Sequence, residues 1–316
     1  MKICVTGGAG FIGSNLADKL LNQDNEVIVV DDFNDYYPVE YKEQNVAPNL
    51  SRSNYHLYRA DINNQAKLTE IFARHQPEKI IHLAARAGVR PSIQNPAQFL
   101  QANIAGTLNL LELCRQFAIK DFIFASSSSV YGNNAKVPFC ESDSVDCPIS
   151  PYAATKKACE LIAHTYHHLY GLNCVGLRLF TVYGERGRPD MAPYLFTQKI
   201  HNGEPIKRFG DGTSRRDYTY IDDIISGIMS CLDKNFGYEI INLGNSDTVE
   251  LNRLIAVVEN LLGRKAKIEE FASQPGDVQQ TYADVTKAKR LLNYQPTTSI
   301  EEGMSRFVRW YLESRG

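Results

Sequence analysis

The sequence predicts an α/β fold in which helices cover both faces of a doubly wound parallel sheet. Short apolar runs, rich in β-branched residues, alternate with segments of helical spacing along the first 180 residues. The runs are continuously apolar, which is typical of strands buried on both faces of a parallel sheet. A glycine-rich turn follows the first run directly. Together these observations predict the fold class.

The strand candidates, in chain order, are residues 3–6, 26–31, 55–61, 79–85, 121–127, 174–180 and 238–244. Apolar residues at helical spacing lie between them and predict four helices. These are Leu16 and Leu20; Leu68, Ile71 and Phe72; Ile104, Leu108, Leu110 and Leu111; and Cys159, Ile162, Ala163 and Tyr166.

The regular alternation ends near residue 180. The stretches "GERGRPDMAPY" and "FGDGTSRRDYTYIDD" are rich in glycine, proline and charge, and helical patterns return at 250–262 and 300–312. A chain of 316 residues is long enough for about two domains. We therefore predict a cofactor-binding domain over residues 1–178, to which a segment of about 217–247 returns. Residues 179–316 are predicted to form a smaller α/β substrate domain.

Composition excludes some classes of partner. Lysine and arginine number 34 and aspartate and glutamate 36, so the net charge is −2 and gives no electrostatic reason to bind nucleic acid. The N-terminus, "MKICVTGGAGFIG", has neither a secretory signal nor a transmembrane span, which predicts a protein without a membrane partner.

Seven scattered cysteines show no CxxC pair and no Cys/His metal spacing. An odd, scattered set is typical of reduced thiols in the cytoplasm, so no metal is expected. The alternative is a disulfide between Cys140 and Cys147 in "CESDSVDC".

The segment "VTGGAGFIG" follows the first strand and opens a helix, with Gly7, Gly10 and Gly13 spaced three apart. A dinucleotide site needs a tight turn, close approach of the backbone to a pyrophosphate, and close packing of helix on sheet. The N–H groups of the helix N-terminus then face the phosphates. This context predicts a Rossmann-type nucleotide site, and the alternative is a structural glycine turn.

The second strand ends on Asp31, where a carboxylate accepts hydrogen bonds from ribose hydroxyls and repels a 2′-phosphate. This arrangement favours NAD over NADP. Asp61 and Ile62 end the third strand candidate, where a carboxylate can accept from the adenine amino group. The small residues of "HLAAR" (82–86) let the backbone lie against the dinucleotide. Ordinary strand-end chemistry is the alternative for each of these positions alone.

Tyr152 and Lys156 in "SPYAATKKA" lie four residues apart on a predicted helix and therefore share one face. A phenol in water ionises only near pH 10, but a neighbouring ammonium and a cationic nicotinamide both favour the phenolate. Tyr152 is then able to take a proton from a sugar hydroxyl while the carbon gives hydride to NAD. A chance pair on a helix surface is the alternative for these two residues alone.

Ser127 ends the strand "DFIFASS", at the edge of the sheet where ligands bind in open α/β folds. Its hydroxyl is placed to hydrogen-bond the same substrate oxygen as Tyr152. A glycine loop, a strand-end serine and a YxxxK pair in this order favour the chemical interpretation over chance.

With these residues in view, the whole chain resembles the extended short-chain dehydrogenase/reductase family, and within it the nucleotide-sugar 4-epimerases. The resemblance rests on TGxxGxxG at 6–13, Asp31, Asp61, "HLAA", Asn103, the serine run, YxxxK and "GDGTSRRDYTYIDD". Four segments are more similar to the UDP-glucuronate 4-epimerase group than to the UDP-galactose 4-epimerases. They are "ARAGVRPSIQNP", "YAATKKACELIAHTYHHLYGL", "LRLFTVYGERGRPDMA" and "QPGDVQQTYAD".

The resemblance implies roles for individual residues. Catalysis would fall to Ser127, Tyr152 and Lys156. The implied NAD contacts are Gly7, Gly10, Phe11, Ile12, Gly13, Asp31, Asp32, Asn34, Asp61, Ile62, Leu83, Ala84, Ala85 and Asn103, together with Tyr152 and Lys156. The implied substrate contacts are Ser128, Ser129, Thr181 and Arg188 around the sugar carboxylate, and Arg216 and Asp277 on the UDP moiety.

The implied reaction is epimerisation at C4 of UDP-glucuronate through a 4-keto sugar, with NAD tightly bound and regenerated in each turnover. Related dehydratases and decarboxylases place acidic residues just after the strand-end serine, whereas Ser128 and Ser129 stand there in this chain. The alternatives are UDP-glucose/UDP-galactose epimerisation, UDP-glucuronate decarboxylation and a non-catalytic NAD-binding protein. The resemblance also implies a homodimer formed by the helices that carry 103–116 and 152–170.

Overall fold

The computed structural model describes residues 1–272 and 278–315, and its contacts divide the chain into two compact units. Unit 1 comprises Met1–Gly132, Asp143–Arg178 and Ile228–Ile241. Unit 2 comprises Asn133–Ser142, Leu179–Gly227 and Asn242–Gly316. Within the described ranges, no helix is both long enough and apolar enough to cross a membrane.

A seven-stranded sheet has the strand order β11-β6-β5-β4-β1-β2-β3. The pairings of β1 with β2 and β4, of β2 with β3, and of β4 with β5 are parallel. The strands are β1 (Lys2–Thr6), β2 (Glu26–Asp31), β3 (Tyr55–Arg59), β4 (Lys79–His82), β5 (Asp121–Ser127), β6 (Asn173–Leu179) and β11 (Tyr238–Leu243). The predicted doubly wound α/β fold is therefore confirmed.

The order of the strands reverses at β1. The chain runs from β1 outward through β2 and β3, and then returns to place β4 on the other side of β1. In open α/β sheets this switch point opens a crevice at the carboxyl ends of the strands, where ligands bind. The glycine loop after β1 and the residues after β4 both lie at that edge.

The helices of unit 1 are α1 (Phe11–Leu21), α2 (Val39–Val46), α3 (Gln65–His75), α4 (Val89–Gln94), α5 (Pro96–Phe99), α6 (Gly106–Gln116) and α7 (Pro151–Tyr170). One of its core clusters joins strand residues such as Ile28, Ile80 and Phe122 to the buried faces of α3, α6 and α7. The apolar strands and the apolar faces of these helices thus bury each other, as the periodicity predicts.

Between α5 and α6 the chain forms a π-helical stretch, Leu100–Ala105. The sequence pattern predicted an ordinary helix face that includes Ile104 and Leu108. In the structure Ile104 lies in the π-helical stretch, and Leu108 is 40% exposed while Leu110 and Leu111 are buried. Because a π turn holds more residues than an α turn, it changes which positions face the core.

The predicted strand over residues 79–85 is shorter in the structure, where β4 ends at His82. Leu83 N still donates to the Thr6 carbonyl oxygen at 3.1 Å, but residues 83–85 lie outside the ladder. β3 likewise ends at Arg59, before Asp61. The chain leaves both strands at the edge where a ligand would approach.

Unit 2 contains the strands β7 (Thr181–Tyr183), β8 (Pro205–Phe209), β9 (Arg215–Arg216), β10 (Tyr218–Tyr220), β12 (Val249–Glu250) and β13 (Lys267–Phe271). They form three two-stranded sheets, β10 with β7, β12 with β9, and β13 with β8. The helices associated with them are α8 (Ala192–His201), α9 (Ile221–Met229), α10 (Leu251–Leu262), α11 (Thr286–Leu292) and α12 (Ile300–Ser314).

The units differ in two places from the domain limits expected from the sequence. Residues 133–142 group with unit 2, because Phe139 N donates to the Tyr282 carbonyl oxygen at 2.7 Å and its own carbonyl accepts from Asp284 N at 2.9 Å. The segment that returns to unit 1 is 228–241, shorter than the expected 217–247. Gly227 packs against Leu243 within unit 2, where a Cβ would meet a Leu243 methyl carbon at 2.8 Å.

Candidate active site

The loop after β1 is shaped by its glycines. Gly7 has a φ of +71°, and a Cβ there would lie 2.7 Å from Ala84 N. A Cβ on Gly13 would overlap the carbonyl oxygen of Gly7. Gly10 N donates to that same carbonyl at 3.1 Å and tightens the turn. Glycine is therefore required at Gly7 and Gly13, and the bare backbone forms a cradle that fits a pyrophosphate.

Helix α1 begins at Phe11, directly after this loop. Gly10 occupies the N-cap position, so no side chain caps the helix, and its first turn contains no acidic residue within the described structure. Its first N–H groups and the positive end of its dipole are thus available to an anion. Phe11 is buried and Ile12 half-buried, which fixes the start of the helix against the sheet.

Asp31 ends β2 beside the glycine loop. Its Oδ2 accepts from Ala9 N at 3.1 Å and its Oδ1 from Phe33 N at 2.9 Å. The buried Lys42 places Nζ 3.6 Å from Asp31 Oδ1. Burial raises the pKa of Asp31, and the Lys42 ammonium acts in the opposite direction. The carboxylate has the location expected of a ribose acceptor, and Lys42, which we did not predict, balances its charge.

Two more predicted cofactor residues follow Asp31 in the chain. Asp32 Oδ1 accepts from Asn34 N at 3.0 Å, and Lys42 Nζ donates to the Asn34 carbonyl at 3.1 Å. Asp61 follows β3 at the same edge of the sheet, and its Oδ1 accepts from Asn63 N at 2.8 Å. The structure thus places these carboxylates after adjacent strands, at one edge of the sheet.

The predicted contact segment Leu83–Ala85 follows β4 and is half-buried. Ala84 N donates to Thr6 Oγ1 at 3.3 Å, and the Ala84 backbone approaches Gly7 so closely that a side chain at position 7 would have no room. Small side chains after β4 and glycines after β1 therefore form two sides of one narrow backbone groove.

Asn103, in the π-helical stretch, is 1% exposed and makes three side-chain hydrogen bonds. Its Oδ1 accepts from Arg86 N at 2.8 Å, and its Nδ2 donates to the Arg86 carbonyl at 3.0 Å. Nδ2 also donates to Thr155 Oγ1 at 3.0 Å. In the structure Asn103 therefore joins the segment after β4 to helix α7, which carries the predicted base.

The predicted catalytic residues Ser127, Tyr152 and Lys156 all belong to unit 1. Ser150 caps α7 through Oγ, which accepts from Ala153 N at 3.1 Å, and Pro151 occupies the first turn. These are standard helix-start signals, and they fix where the helix begins. Tyr152 therefore stands in the first turn and Lys156 in the second, on one face.

Lys156 is anchored to the strand that ends in Ser127. Its Nζ donates to the Ala125 carbonyl oxygen at 2.8 Å, and the side chain is almost fully buried. Tyr152 is half-buried, with its ring edge-on to Phe99 at a centroid distance of 6.2 Å. The structure thus holds the ammonium at the end of β5, where Ser127 also lies.

Ser127 ends β5 and caps the short 3₁₀ turn Ser128–Tyr131. Its Oγ accepts from Ser129 N at 3.1 Å, which leaves the hydroxyl proton to be donated. Ser128 and Ser129 are half-buried in the same turn, so three hydroxyl groups gather after β5. None of them is an acid or base near neutral pH.

His82 is a buried histidine for which we predicted no role, and the Lys156 ammonium acts on it electrostatically. His82 Nδ1 is 2.7 Å from Thr6 Oγ1, and Nε2 is 3.0 Å from Thr107 Oγ1. Burial, with a smaller contribution from the Lys156 ammonium, lowers the pKa of His82 to about 3. The imidazole is therefore neutral. It links β4 to β1 through Thr6 and to α6 through Thr107, immediately before the segment that follows β4.

Three of the predicted substrate residues that the structure describes belong to unit 2. Thr181 begins β7, and its N donates to the Asp217 carbonyl at 3.1 Å. Arg188 forms a bidentate pair with Asp190, with Nε to Oδ1 at 3.0 Å and Nη2 to Oδ2 at 2.6 Å. Arg216 Nη1 donates to the Arg215 carbonyl at 2.9 Å. Asp277 lies outside the described residues.

The family model described as GDP-mannose 4,6 dehydratase matches residues 4–307. A UDP-glucuronate 4-epimerase of Thermodesulfobacterium geofontis is 48% identical over 98% of this chain and 96% of its own. Most of the chain, including both units, is thus shared with these relatives.

Among solved structures, UDP-glucuronic acid 4-epimerase from Bacillus cereus in complex with UDP-glucuronic acid and NAD has a TM-score of 0.92 at 38% identity, covering 99% of both chains. A UDP-glucose 4-epimerase from Thermotoga maritima with UDP-glucose also has a TM-score of 0.92, at 35% identity and full coverage of both chains. The shared backbone therefore does not by itself distinguish the two sugars.

Proposed function

From the premise that the chain belongs to the GDP-mannose 4,6 dehydratase family of extended short-chain dehydrogenases, we propose that it is an NAD-dependent UDP-glucuronate 4-epimerase. It interconverts UDP-glucuronate and UDP-galacturonate. The similarity of nearly the whole chain to UDP-glucuronate 4-epimerases carries this proposal. Tyr152, one helical turn before the anchored Lys156, supplies the chemistry that the reaction needs.

The chain's own residues fit NAD. Gly7 and Gly13 leave the cradle that a pyrophosphate needs, and the uncapped start of α1 faces it. Asp31, at the end of β2, accepts from the ribose hydroxyls, as it already accepts from backbone N–H groups. NAD, when bound, accepts hydride from C4 of the sugar and returns it to the opposite face.

Tyr152 acts as the general base and later as the acid. Its phenolate oxygen takes the proton of the C4 hydroxyl. It gives the proton back after the 4-keto sugar has rotated to present its other face. Lys156, held by the Ala125 carbonyl, places a fixed positive charge one helical turn away and stabilises that phenolate. Ser127 donates its hydroxyl proton to the same substrate oxygen and keeps it in position.

The uronate carboxylate requires special control, because a 4-keto uronate is a β-keto acid and tends to lose carbon dioxide. An epimerase must hold the breaking bond out of overlap with the ketone. We assign this task to the hydroxyl donors Ser128, Ser129 and Thr181. Because Ser128 and Ser129 are not acids, they offer no proton-transfer group that would favour elimination or decarboxylation.

Arg188 is the proposed cationic partner of the substrate carboxylate. In the structure its guanidinium is held by Asp190 in a bidentate pair, so it is oriented before any substrate binds. The substrate carboxylate must then share the guanidinium with Asp190 or displace it. Arg216 and Asp277 are assigned to the UDP moiety, through a phosphate and the ribose respectively.

We also propose that the protein is a cytoplasmic homodimer. Leu108 on α6 and Leu161 and Leu169 on α7 are 40%, 56% and 63% exposed in unit 1. We assign the surface that carries these exposed leucines to the contact with the second copy. None of the seven cysteines forms a disulfide in the described structure, which is compatible with a reducing compartment.

One experiment tests the proposed function directly. Purified protein is incubated with UDP-glucuronate without added cofactor, and the products are identified by sugar-nucleotide NMR. We expect an equilibrium mixture with UDP-galacturonate and no carbon dioxide. Conversion of UDP-glucose but not UDP-glucuronate would replace the substrate assignment, and the appearance of a UDP-pentose would replace epimerisation by decarboxylation.

A further inference from the structure

A cluster of potential metal ligands lies at the end of the sheet opposite the glycine loop. Glu26 is the first residue of β2, His56 the second residue of β3, and His75 the last residue of α3. The carboxyl ends of these parallel strands carry the predicted cofactor residues, such as Asp31. The three side chains therefore belong to a separate location within unit 1, which the proposed epimerase chemistry does not use.

Two of the three distances within this cluster are close to the edges of a coordination tetrahedron. Glu26 Oε1 lies 3.2 Å from His56 Nε2 and 3.6 Å from His75 Nδ1, and all three atoms lie within 4.8 Å of one another. With metal–ligand bonds of about 2.0–2.1 Å, two ligands of a tetrahedral zinc ion are about 3.3 Å apart. Glu26 Oε1 therefore lies close to tetrahedral spacing from a nitrogen of each imidazole.

The surrounding groups orient the ligands in the way that metal sites require. Tyr58 OH lies 2.6 Å from His75 Nε2 and thus engages the ring nitrogen that does not face Glu26. When Nε2–H donates to the Tyr58 oxygen, the lone pair of His75 Nδ1 points at the cluster. Lys2 Nζ lies 3.7 Å from Glu26 Oε2, so one carboxylate oxygen is balanced while Oε1 faces the two imidazoles.

Burial also fits a site that an ion from the solvent can enter. The His75 side chain is 7% exposed, whereas His56 and Glu26 are 31% and 29% exposed, which leaves water access to one side. The cationic neighbours are Lys2 on β1 and Arg74 on α3.

We propose that Glu26 Oε1, His56 Nε2 and His75 Nδ1 bind one divalent transition-metal ion, of which Zn²⁺ is the representative, with water as the fourth ligand. Two imidazoles and a carboxylate are a donor set suited to this class of ion rather than to Mg²⁺ or Ca²⁺. The ion would tie β2 to the edge strand β3 and to the end of α3. Its role is structural stabilisation of this end of unit 1.

The test uses the full-length protein without a histidine tag, stripped with a chelator and dialysed. Titration with Co²⁺ is followed by its visible ligand-field absorption, and titration with Zn²⁺ by calorimetry. We expect one equivalent of each ion to bind, tetrahedral Co²⁺ absorption, and a Tm raised by Zn²⁺ but not by Mg²⁺. Conversion of UDP-glucuronate should be the same with and without Zn²⁺, since the cluster lies away from the proposed catalytic residues.

The variants His56→Gln and Glu26→Gln should weaken Zn²⁺ binding at least about 100-fold, beyond the 10–100-fold typical of outer groups. Both positions are partly exposed, so far-UV circular dichroism and the Tm of the metal-free variants confirm folding. The double variant His164→Gln/His168→Gln is the matched control, because these histidines lie one turn apart on α7. It should retain the full affinity. Absence of stoichiometric binding, or unchanged binding in His56→Gln, would show that Glu26 serves only as a hydrogen-bond acceptor for the two histidines.

Discussion

The guanidinium of Arg178 and the carboxylate of Glu160 form a bidentate ion pair, with Nε to Oε1 and Nη2 to Oε2 both at 2.9 Å. Both side chains are almost entirely buried. Ser126 Oγ adds a third hydrogen bond to Glu160 at 2.6 Å, and Tyr131 OH accepts from Arg178 Nη1 at 3.0 Å. Burial by itself would lower the pKa of Arg178, but its bonds to Glu160 raise it.

This pair explains how helix α7 is fixed in place. Tyr152, Lys156 and Glu160 follow one another at intervals of four residues, so they form one stripe along the helix. Lys156 and Glu160 are both bound to β5, through the Ala125 carbonyl and the Ser126 hydroxyl. These two bonds fix helix α7, which carries Tyr152 in its first turn, against β5.

Glu160→Gln should reduce the free energy of unfolding by about 3–5 kcal/mol, because it leaves the buried Arg178 charge without its counter-ion. Glu301→Gln is the matched control, since Glu301 pairs with Arg253 on the surface and such pairs contribute about 1 kcal/mol or less. Urea denaturation of both variants measures the difference. Equal losses would mean that the buried pair adds no more than a surface contact.

Gly13→Ala should abolish copurification of NAD, because the added methyl group would overlap the Gly7 carbonyl and displace the loop from the helix. Gly171→Ala is the control, since no atom lies within 4 Å of the added carbon. Its φ of +67° still costs about 1 kcal/mol of stability. NAD released on denaturation is quantified by chromatography. A normal NAD content in Gly13→Ala would contradict the proposal that this loop binds the pyrophosphate.

Tyr152→Phe should lower kcat for UDP-glucuronate by about 10²–10⁴-fold or more, because the proton of the C4 hydroxyl loses its acceptor. NAD content should be unchanged, since the ring and its contact with Phe99 remain. Tyr170→Phe, at the end of the same helix, should keep full activity. Turnover and bound NAD are measured in the same preparations. An unaltered kcat in Tyr152→Phe would show that Tyr152 is not the general base.

Arg188→Ala should reduce kcat/KM for UDP-glucuronate far more than for UDP-glucose, because only the uronate offers a carboxylate to the guanidinium. Asp190→Asn is the second variant, since it removes the negative charge that pairs with Arg188. We expect it to leave the preference for the uronate in place. Equal losses on the two substrates in Arg188→Ala would withdraw the carboxylate assignment.

Acid should destabilise the fold through His82. Its pKa is about 3 when folded and near 6.5 when exposed, so the unfolded chain binds more protons between those values. The stability that depends on neutral His82 is complete above pH 6.5 and is lost as the pH falls, by about 2 kcal/mol at pH 5. His82→Gln should therefore lose less stability than the wild type between pH 7 and pH 5. Urea titrations of the wild type and the variant at pH 7 and pH 5 measure the free energies of unfolding. Equal losses between the two pH values in both proteins would contradict the prediction.

The sequence was sufficient to predict whatever is encoded locally. The apolar runs predicted the seven strands of the large sheet, the glycine spacing predicted the loop at 7–13, and the four-residue spacing placed Tyr152 and Lys156 on one face of a helix. These features depend on residues within a few positions of one another. The residue roles taken from the family resemblance remain predictions for the experiments above.

Other features depend on residues far apart in the chain and could not be predicted in this way. His82 bonds to Thr6, which lies 76 positions away, and Glu160 bonds to Ser126, 34 positions away. Lys42 reaches Asp31 from a helix whose composition gives no sign of a buried charge. The early end of β4 likewise follows from tertiary contacts at Thr6 and Gly7, because the apolar pattern itself continues to residue 85.

The π-helical stretch Leu100–Ala105 also sets a limit on how this protein can vary in length. A π turn contains one residue more than an α turn, so removing one residue there would restore a regular helix. Every side chain beyond the deletion would then rotate by about 100° relative to those before it. Either Asn103 would turn away from the Arg86 backbone or the leucines of α6 would turn out of the core. We therefore expect homologous chains to tolerate insertions and deletions in surface loops, but to keep the residue count constant between Phe99 and Gly106.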